Sequence, residues 1–142
     1  MSGESIPVYG VTVNAINNGA ARLNTEVSVL ADVANVYNGA HDICDLVFEG
    51  TFAVAPVASQ SLHVYMRQIN IKGASDNPIP DANYKHTYIA TIPLAMQTTN
   101  SIAVAKVPIF PGCELYVEND SGQTLNVGWT LDIKPFGYGV AP

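Results

Sequence analysis

Apolar and polar residues alternate along most of the chain, and the clearest run lies between Cys113 and Lys134. Leu125, Val127, Trp129, Leu131 and Ile133 occupy every second position there, with Asn126, Gly128, Thr130 and Asp132 between them. Successive side chains of a strand point to opposite faces, so this pattern predicts a strand with one buried and one wetted face. Cys113, Leu115 and Val117 alternate in the same way against Glu114, Tyr116 and Glu118. Between the two runs lies Asn119-Asp120-Ser121-Gly122, a cluster that tolerates a tight reversal. The two runs are expected to form a β-hairpin whose apolar face is covered by a second sheet, with Trp129 deep between the sheets.

The remaining segments follow the same logic. Residues 1–24 are expected to form an N-terminal arm with one short extended piece, Ile6 to Val13, followed by a loop; Pro7 suits an edge or arm and not a central strand. Val27, Val29, Ala31 and Val33 predict a strand within Thr25–Val36, closed by Tyr37-Asn38-Gly39. Cys44, Leu46, Phe48, Phe52 and Val54 predict a long strand bent near Gly50. Leu62, Val64 and Met66 form the next apolar face, opposite His63, Tyr65 and Arg67. The apolar phase then switches to Ile69 and Ile71, which predicts a bulge near Arg67-Gln68. Residues 72–85 read as the longest loop, broken by Gly73, Pro78 and Pro80. Tyr88, Ala90, Ile92 and Leu94 resume the alternation. Ile102 and Val104 begin a further strand, which Val107 and Ile109 continue after a second phase switch. Phe110-Pro111-Gly112-Cys113 has Pro and Gly where a type II turn wants them.

No segment shows a helical period, and the turn signals recur at about the ~8–12-residue spacing of all-β domains. The expected fold is all-β: a two-sheet antiparallel sandwich of jelly-roll type with about eight strands, formed by residues 25–142 as a single domain. An immunoglobulin-like sandwich is the alternative, although the Cys and Trp positions do not match its usual spacing.

Composition narrows the function classes. At 142 residues the chain is long enough for one self-supporting core, and 48% hydrophobic against 13% charged residues exclude a disordered segment. The net charge is −6, with four Lys and two Arg scattered singly, so no cationic groove for nucleic acid is expected. No apolar run approaches the ~18 residues of a membrane span, and no signal segment is recognised at the N-terminus. The small charge fraction implies a surface partly occupied by neighbours. Cys44 and Cys113 fall on expected core faces and are read as free thiols.

The chemistry-bearing residues do not converge in the sequence. His41-Asp42 with Cys44 and Asp45 is the densest polar cluster, but no further ligands follow at metal-site spacing. His63 reads as a half-exposed cross-strand residue and His86 as a turn residue beside the long loop. Asp76 and Asp81 read as turn formers. A Ser-His-Asp triad is arithmetically possible, yet no nucleophile elbow, phosphate loop or HExxH supports catalysis. No enzyme activity, metal or cofactor is therefore expected. Tyr9, Tyr37, Tyr65, Tyr84, Tyr116, Phe136 and Tyr138 fall on expected outer faces, loops or the tail, where aromatic rings serve interfaces and sugar platforms. The interface candidates are Ile6, Val8, Tyr9, Tyr65, Tyr84 and Tyr116. The Ser2–Tyr9 arm is read in two ways, as an attachment segment that adds to a neighbour's sheet edge or as an edge strand of its own sheet.

Four stretches carry a family resemblance: Pro80-Asp81-Ala82-Asn83-Tyr84-Lys85-His86; Pro111-Gly112-Cys113-Glu114-Leu115-Tyr116-Val117-Glu118-Asn119; Ser121-Gly122-Gln123-Thr124; and Gly128-Trp129-Thr130-Leu131. Together they resemble the capsid decoration (cement) proteins of tailed bacteriophages, over roughly residues 60–135. The resemblance implies a β-sandwich made in the bacterial cytoplasm and added as a homotrimer to the virion exterior, with the major capsid protein as its partner. It assigns no individual residue a role. A phage fibre or tail module binding a host-surface glycan or another virion protein is the alternative. A jelly-roll enzyme ranks third, because the inward positions are almost wholly apolar.

Overall fold

The computed structural model describes residues 5–69, 72, 77–85 and 87–140. Among these lie eight strands: β1 (Ser5–Tyr9), β2 (Val13–Gly19), β3 (Ile43–Thr51), β4 (Ser61–Gln68), β5 (Tyr88–Pro93), β6 (Thr99–Pro108), β7 (Cys113–Asp120) and β8 (Trp129–Val140). The larger sheet runs β1-β8-β3-β6, with β2 also paired to β8 beyond the end of β1, and the smaller runs β5-β4-β7. All pairings are antiparallel.

The partners are nested: first with eighth, third with sixth, fourth with fifth. That is the winding of a jelly roll, in which one long antiparallel ribbon is folded over itself. The missing pair, second with seventh, is replaced by irregular chain. Thr25 N–H donates to the Asn119 carbonyl at 2.6 Å and Ser28 N–H to the Val117 carbonyl at 2.8 Å, so residues 25–28 take the fourth place in the small sheet. The all-β sandwich expected from the alternation is thus present.

The core lies between the sheets. Phe48, Leu46, Trp129, Leu131 and Ile133 of the large sheet meet Leu62, Val64, Leu115 and Val117 of the small one. Trp129 is 1% exposed, and its indole N–H donates to the Ala20 carbonyl at 2.8 Å. Gly19 is required beside it, since a Cβ there would overlap the indole ring.

Several expectations need correction. The runs 113–120 and 125–134 are not a hairpin: β7 and β8 belong to different sheets and face each other across the core. Both strands have one apolar side, and two such sides are covered together when they oppose each other. Residues 121–128 carry the chain across, anchored where Leu125 exchanges backbone hydrogen bonds with Arg22 at 2.8 and 2.9 Å. Val127 consequently falls in the turn before β8 and is 67% exposed.

Thr25–Val36 is likewise not one strand. The buried Asp32 carboxylate accepts from Ala20 N–H, Val29 N–H and the Arg22 guanidinium at 3.0, 2.9 and 2.6 Å. Gathering these donors bends the chain into a 3-10 turn, Leu30–Asp32, and leaves Val29 and Leu30 exposed. Val54, past the end of β3, is also exposed.

Residues 5–19 form two strands where one strand and a loop are expected, and both pair with β8. The arm thus adopts the second of its two expected readings, with Pro7 on an edge strand. No bulge occurs at Arg67-Gln68, because β4 stays in continuous register with β7 from Ser61 to Gln68; its slip is against β5, between Val64 and Tyr65. Ile71 lies outside the described residues. The second phase switch is a bulge: Cys44 pairs Val107 while Leu46 pairs Val104, and Lys106 in the extra length has φ of 56°.

Candidate functional site

The structure sorts the candidate residues onto the two outer faces of the sandwich. Residues directly opposite in an antiparallel ladder share a face. On the small sheet the outward pairs are His63–Glu118, Tyr65–Tyr116 and Arg67–Glu114. This face is covered, because residues 77–85 lie over it. Arg67 donates through Nε to the Asn77 carbonyl at 2.9 Å, and Lys85 pairs with Glu118.

Beneath that cover runs a closed polar network. Arg67 Nη1 donates to Glu114 Oε1 at 2.7 Å, and the Tyr116 hydroxyl donates to the same oxygen at 3.0 Å. The Tyr65 hydroxyl donates to Glu118 Oε1 at 3.0 Å. Burial pushes the Tyr65 hydroxyl up to about 12, and its Glu118 partner adds to the rise. Tyr116 is raised by burial and by the Glu114 charge. Burial lowers the Arg67 guanidinium, but its hydrogen bond to Glu114 outweighs this and holds it above its ordinary value.

Tyr65 and Tyr116, expected on an outer face, are on one but are only 7% and 0% exposed. Neither offers surface to a partner. Tyr84 is half-buried in the covering loop. Tyr37 and Phe136 are buried as well, against expectation. The Tyr37 hydroxyl donates to the His41 carbonyl at 2.7 Å, and the backbone of Tyr37 bonds that of Cys113.

At the open edge of the same face, His63 Nε2 lies 3.0 Å from Asp120 Oδ2 and its Nδ1 lies 3.4 Å from Thr91 Oγ1. The Thr91 hydroxyl is also bonded by that of Tyr88. The order carboxylate, imidazole, hydroxyl resembles a nucleophile relay, but 3.4 Å is a weak hydrogen bond and the hydroxyl is already engaged. The geometry is that of a cross-strand polar ladder, with Tyr88 54% exposed beside it.

The large sheet presents a different surface. Tyr9 pairs with Phe136, Pro7 with Tyr138, and Ile43 with both Phe136 and Pro108. Tyr9 and Phe136 centroids lie 5.3 Å apart, and Phe136 and Tyr138 centroids 5.2 Å apart in an edge-on arrangement. Lys106 Nζ sits 3.9 Å above the Phe136 ring, and Lys134 Nζ lies 5.9 Å from the Tyr9 centroid. Asp45 holds Lys106 in place through contacts of 3.0 and 3.3 Å. Burial would raise the Asp45 carboxyl, but hydrogen bonds from the Lys106 backbone and ammonium outweigh it and hold it below the usual range. Tyr9 is 49% and Tyr138 67% exposed. Ile6 and Val8 occupy the alternate positions of β1, opposite Gly139 and Gly137, so they do not join the aromatic ladder.

Among the described residues no three His, Cys, Asp or Glu side chains come together as a metal site. Asp81 caps its own turn by accepting from Asn83 and Tyr84 N–H at 2.8 and 2.9 Å; Asp76 and His86 lie outside the described residues. Cys44 and Cys113 are buried free thiols, and burial pushes Cys113 up to about 12. The signal missed in the sequence is Phe136–Tyr138, which looks like a Gly/Pro-rich tail but continues β8 and supplies the ladder's centre. Alternation of Lys134, Phe136 and Tyr138 could have revealed it. No protein-family model, curated protein or solved structure matches the chain.

Proposed function

We propose that this protein is a virion structural protein that decorates the outside of a bacteriophage head as an oligomer and stabilises it by binding the major capsid protein. The observation that carries the reading is the aromatic ladder on the outer face of the large sheet, in which exposed Tyr9 and Tyr138 flank the buried Phe136 ring with two lysines beside them. Exposed tyrosines packed around a further aromatic ring are anchors of the kind that protein-binding surfaces use. The jelly-roll winding, found in viral shells and lectins alike, supports the reading by fold analogy alone. The resemblance over residues 60–135 supports it from the sequence side. On this reading the chain is made in the host cytoplasm and resides on the capsid exterior, without nucleic acid, membrane or cofactor.

The alternative is a fibre or tail module that binds a host-surface glycan, favoured by the exposed Tyr88 beside His63 and Asp120. The two readings separate in one experiment. Purified protein is mixed with head shells assembled without it, bound copies are counted by imaging, and the isolated protein is passed over a glycan array. Saturable binding to shells, lost in Tyr9→Ser/Tyr138→Ser, is the expected result. Affinity for a glycan with none for shells would overturn the decoration reading.

A further inference from the structure

The large sheet ends in a strand that is open along most of its length. β6 pairs with β3 on one side, and among the described residues no strand pairs on the other. Proteins commonly blunt such edges with Pro, Lys or a bulge, because unpaired backbone groups template further pairing. On the opposite edge, where β1 and β2 both pair with β8, β1 carries Pro7 at its middle. β6 is guarded only near its ends. At one end Asn100 is buried and its amide is committed to the 95–97 turn, accepting from Ala95 N–H at 2.7 Å and donating to the Gln97 carbonyl at 2.8 Å. At the other, the bulge at Lys106 kinks the strand, and Pro108 brings no N–H to a further partner. Between them lies an unguarded window, Ser101-Ile102-Ala103-Val104-Ala105, with no charge and no proline.

We propose that this window is a self-association edge, on which a second copy of the chain pairs antiparallel about a two-fold axis at Ala103. The guards at Asn100 and Lys106 are equidistant from Ala103, so they set the register. Two-fold pairing about that residue places Ala103 opposite its own copy, Ile102 opposite Val104, and Ser101 opposite Ala105. The window has the same chemistry in both directions: small, apolar, small, apolar, small. Ile102 and Val104 pack against the core yet remain half exposed, so each gains cover from the other's copy. Ser101, Ala103 and Ala105 are exposed on the outer face, where short side chains let two sheets continue as one. Electrostatics favour the same window. Each copy has a net charge of −6, so association is cheapest along a stretch that carries no charge. Such a contact is isologous and closes at two copies. It uses none of the aromatic ladder and holds whether or not the protein decorates a shell.

The test uses the full chain. Sedimentation equilibrium from low to high micromolar concentration should show a monomer–dimer equilibrium. Ala103→Glu puts two like charges face to face on the axis and should weaken association about tenfold. Circular dichroism of the exposed-site variant checks its fold. Cysteines then read the register. Ala103→Cys should form an intermolecular disulfide under mild oxidation, whereas Ser101→Cys should not, being ~13 Å from its own copy at ~3.3 Å per residue. The native thiols are buried and should stay silent. A protein monomeric throughout that range, an oligomer unchanged by Ala103→Glu, or equal cross-linking at 101 and 103 would overturn the proposal.

Discussion

The two outer faces carry tyrosines at equivalent alternating positions, yet one set is sealed and the other is open. Tyr65 and Tyr116 lie under residues 77–85 with their hydroxyls bonded to glutamates, whereas Tyr9 and Tyr138 stand in solvent with lysines beside the ladder. Alternation determines the side of a sheet on which a ring lies. Whether that side is covered depends on a loop tens of residues away. On the small sheet the cover is held by the Lys85–Glu118 ion pair and the hydrogen bond from Arg67 to the Asn77 carbonyl, and cover and network depend on each other. On the large sheet the aromatic surface is free to be used.

The largest effects should come from breaking the sealed face. Arg67→Ala leaves Glu114 buried without its cation, and such a loss costs ~3–5 kcal/mol; urea titration at neutral pH should show the midpoint fall accordingly. A midpoint within error of the wild type would mean that this face is open to water. Tyr116→Phe removes one donor to the same oxygen, so its expected cost is smaller, ~1–3 kcal/mol.

Alkaline pH should attack the sealed face and core directly. In the unfolded chain Cys titrates near ~8.5 and Tyr near ~10, whereas in the fold Cys113, Tyr37 and Tyr65 are raised to about 12. Their folded values lie above their unfolded ones. The stability they contribute is therefore complete below the unfolded values and drains away as pH rises from about 8.5 towards 12. Denaturation midpoints measured across that range should fall steadily, and Tyr65→Phe should flatten the slope between about 10 and 12.

The open face should prove nearly silent in stability. Tyr9→Ser and Tyr138→Ser are each expected to stay within about 0.5 kcal/mol in melting experiments, even where they abolish a partner's binding. Asp45→Asn should cost ~0.2–1 kcal/mol at neutral pH. Because its carboxyl is held low in the fold, that stability is present at neutral pH and disappears as acid protonates it below the ordinary carboxylate range. The wild type and Asp45→Asn should therefore converge in strong acid.

Much of this architecture was legible in the sequence, because a half-buried strand has a period of two and little else in the chain competes with it. Cys44-Leu46-Phe48, Leu62-Val64-Met66 and Trp129-Leu131-Ile133 all face the core as read. The failures share a cause. Asn119-Asp120-Ser121-Gly122 signals a reversal but not the sheet in which the chain lands, so two strands facing across the core resembled neighbours. Val27 to Val33 alternates, but one buried carboxylate at Asp32 commands enough donors to bend the segment. The surface was the least legible part, since Tyr116 and Tyr138 have the same local pattern and opposite exposure.

The nested pairing also has a consequence in time. β8 is the shared neighbour of β1, β2 and β3, so three strands synthesised early have no central partner until residues 129–140 have left the ribosome. β3 can meet β6 sooner, and β4 can meet β5 and β7, but the large sheet cannot close while β8 is missing. Contacts this distant along the chain make folding slow, on the order of milliseconds to seconds. During that interval the apolar sides of β2 and β3 stand uncovered and open to other nascent chains. A stop codon anywhere before β8 would therefore release a sticky half-sandwich rather than a shorter stable domain.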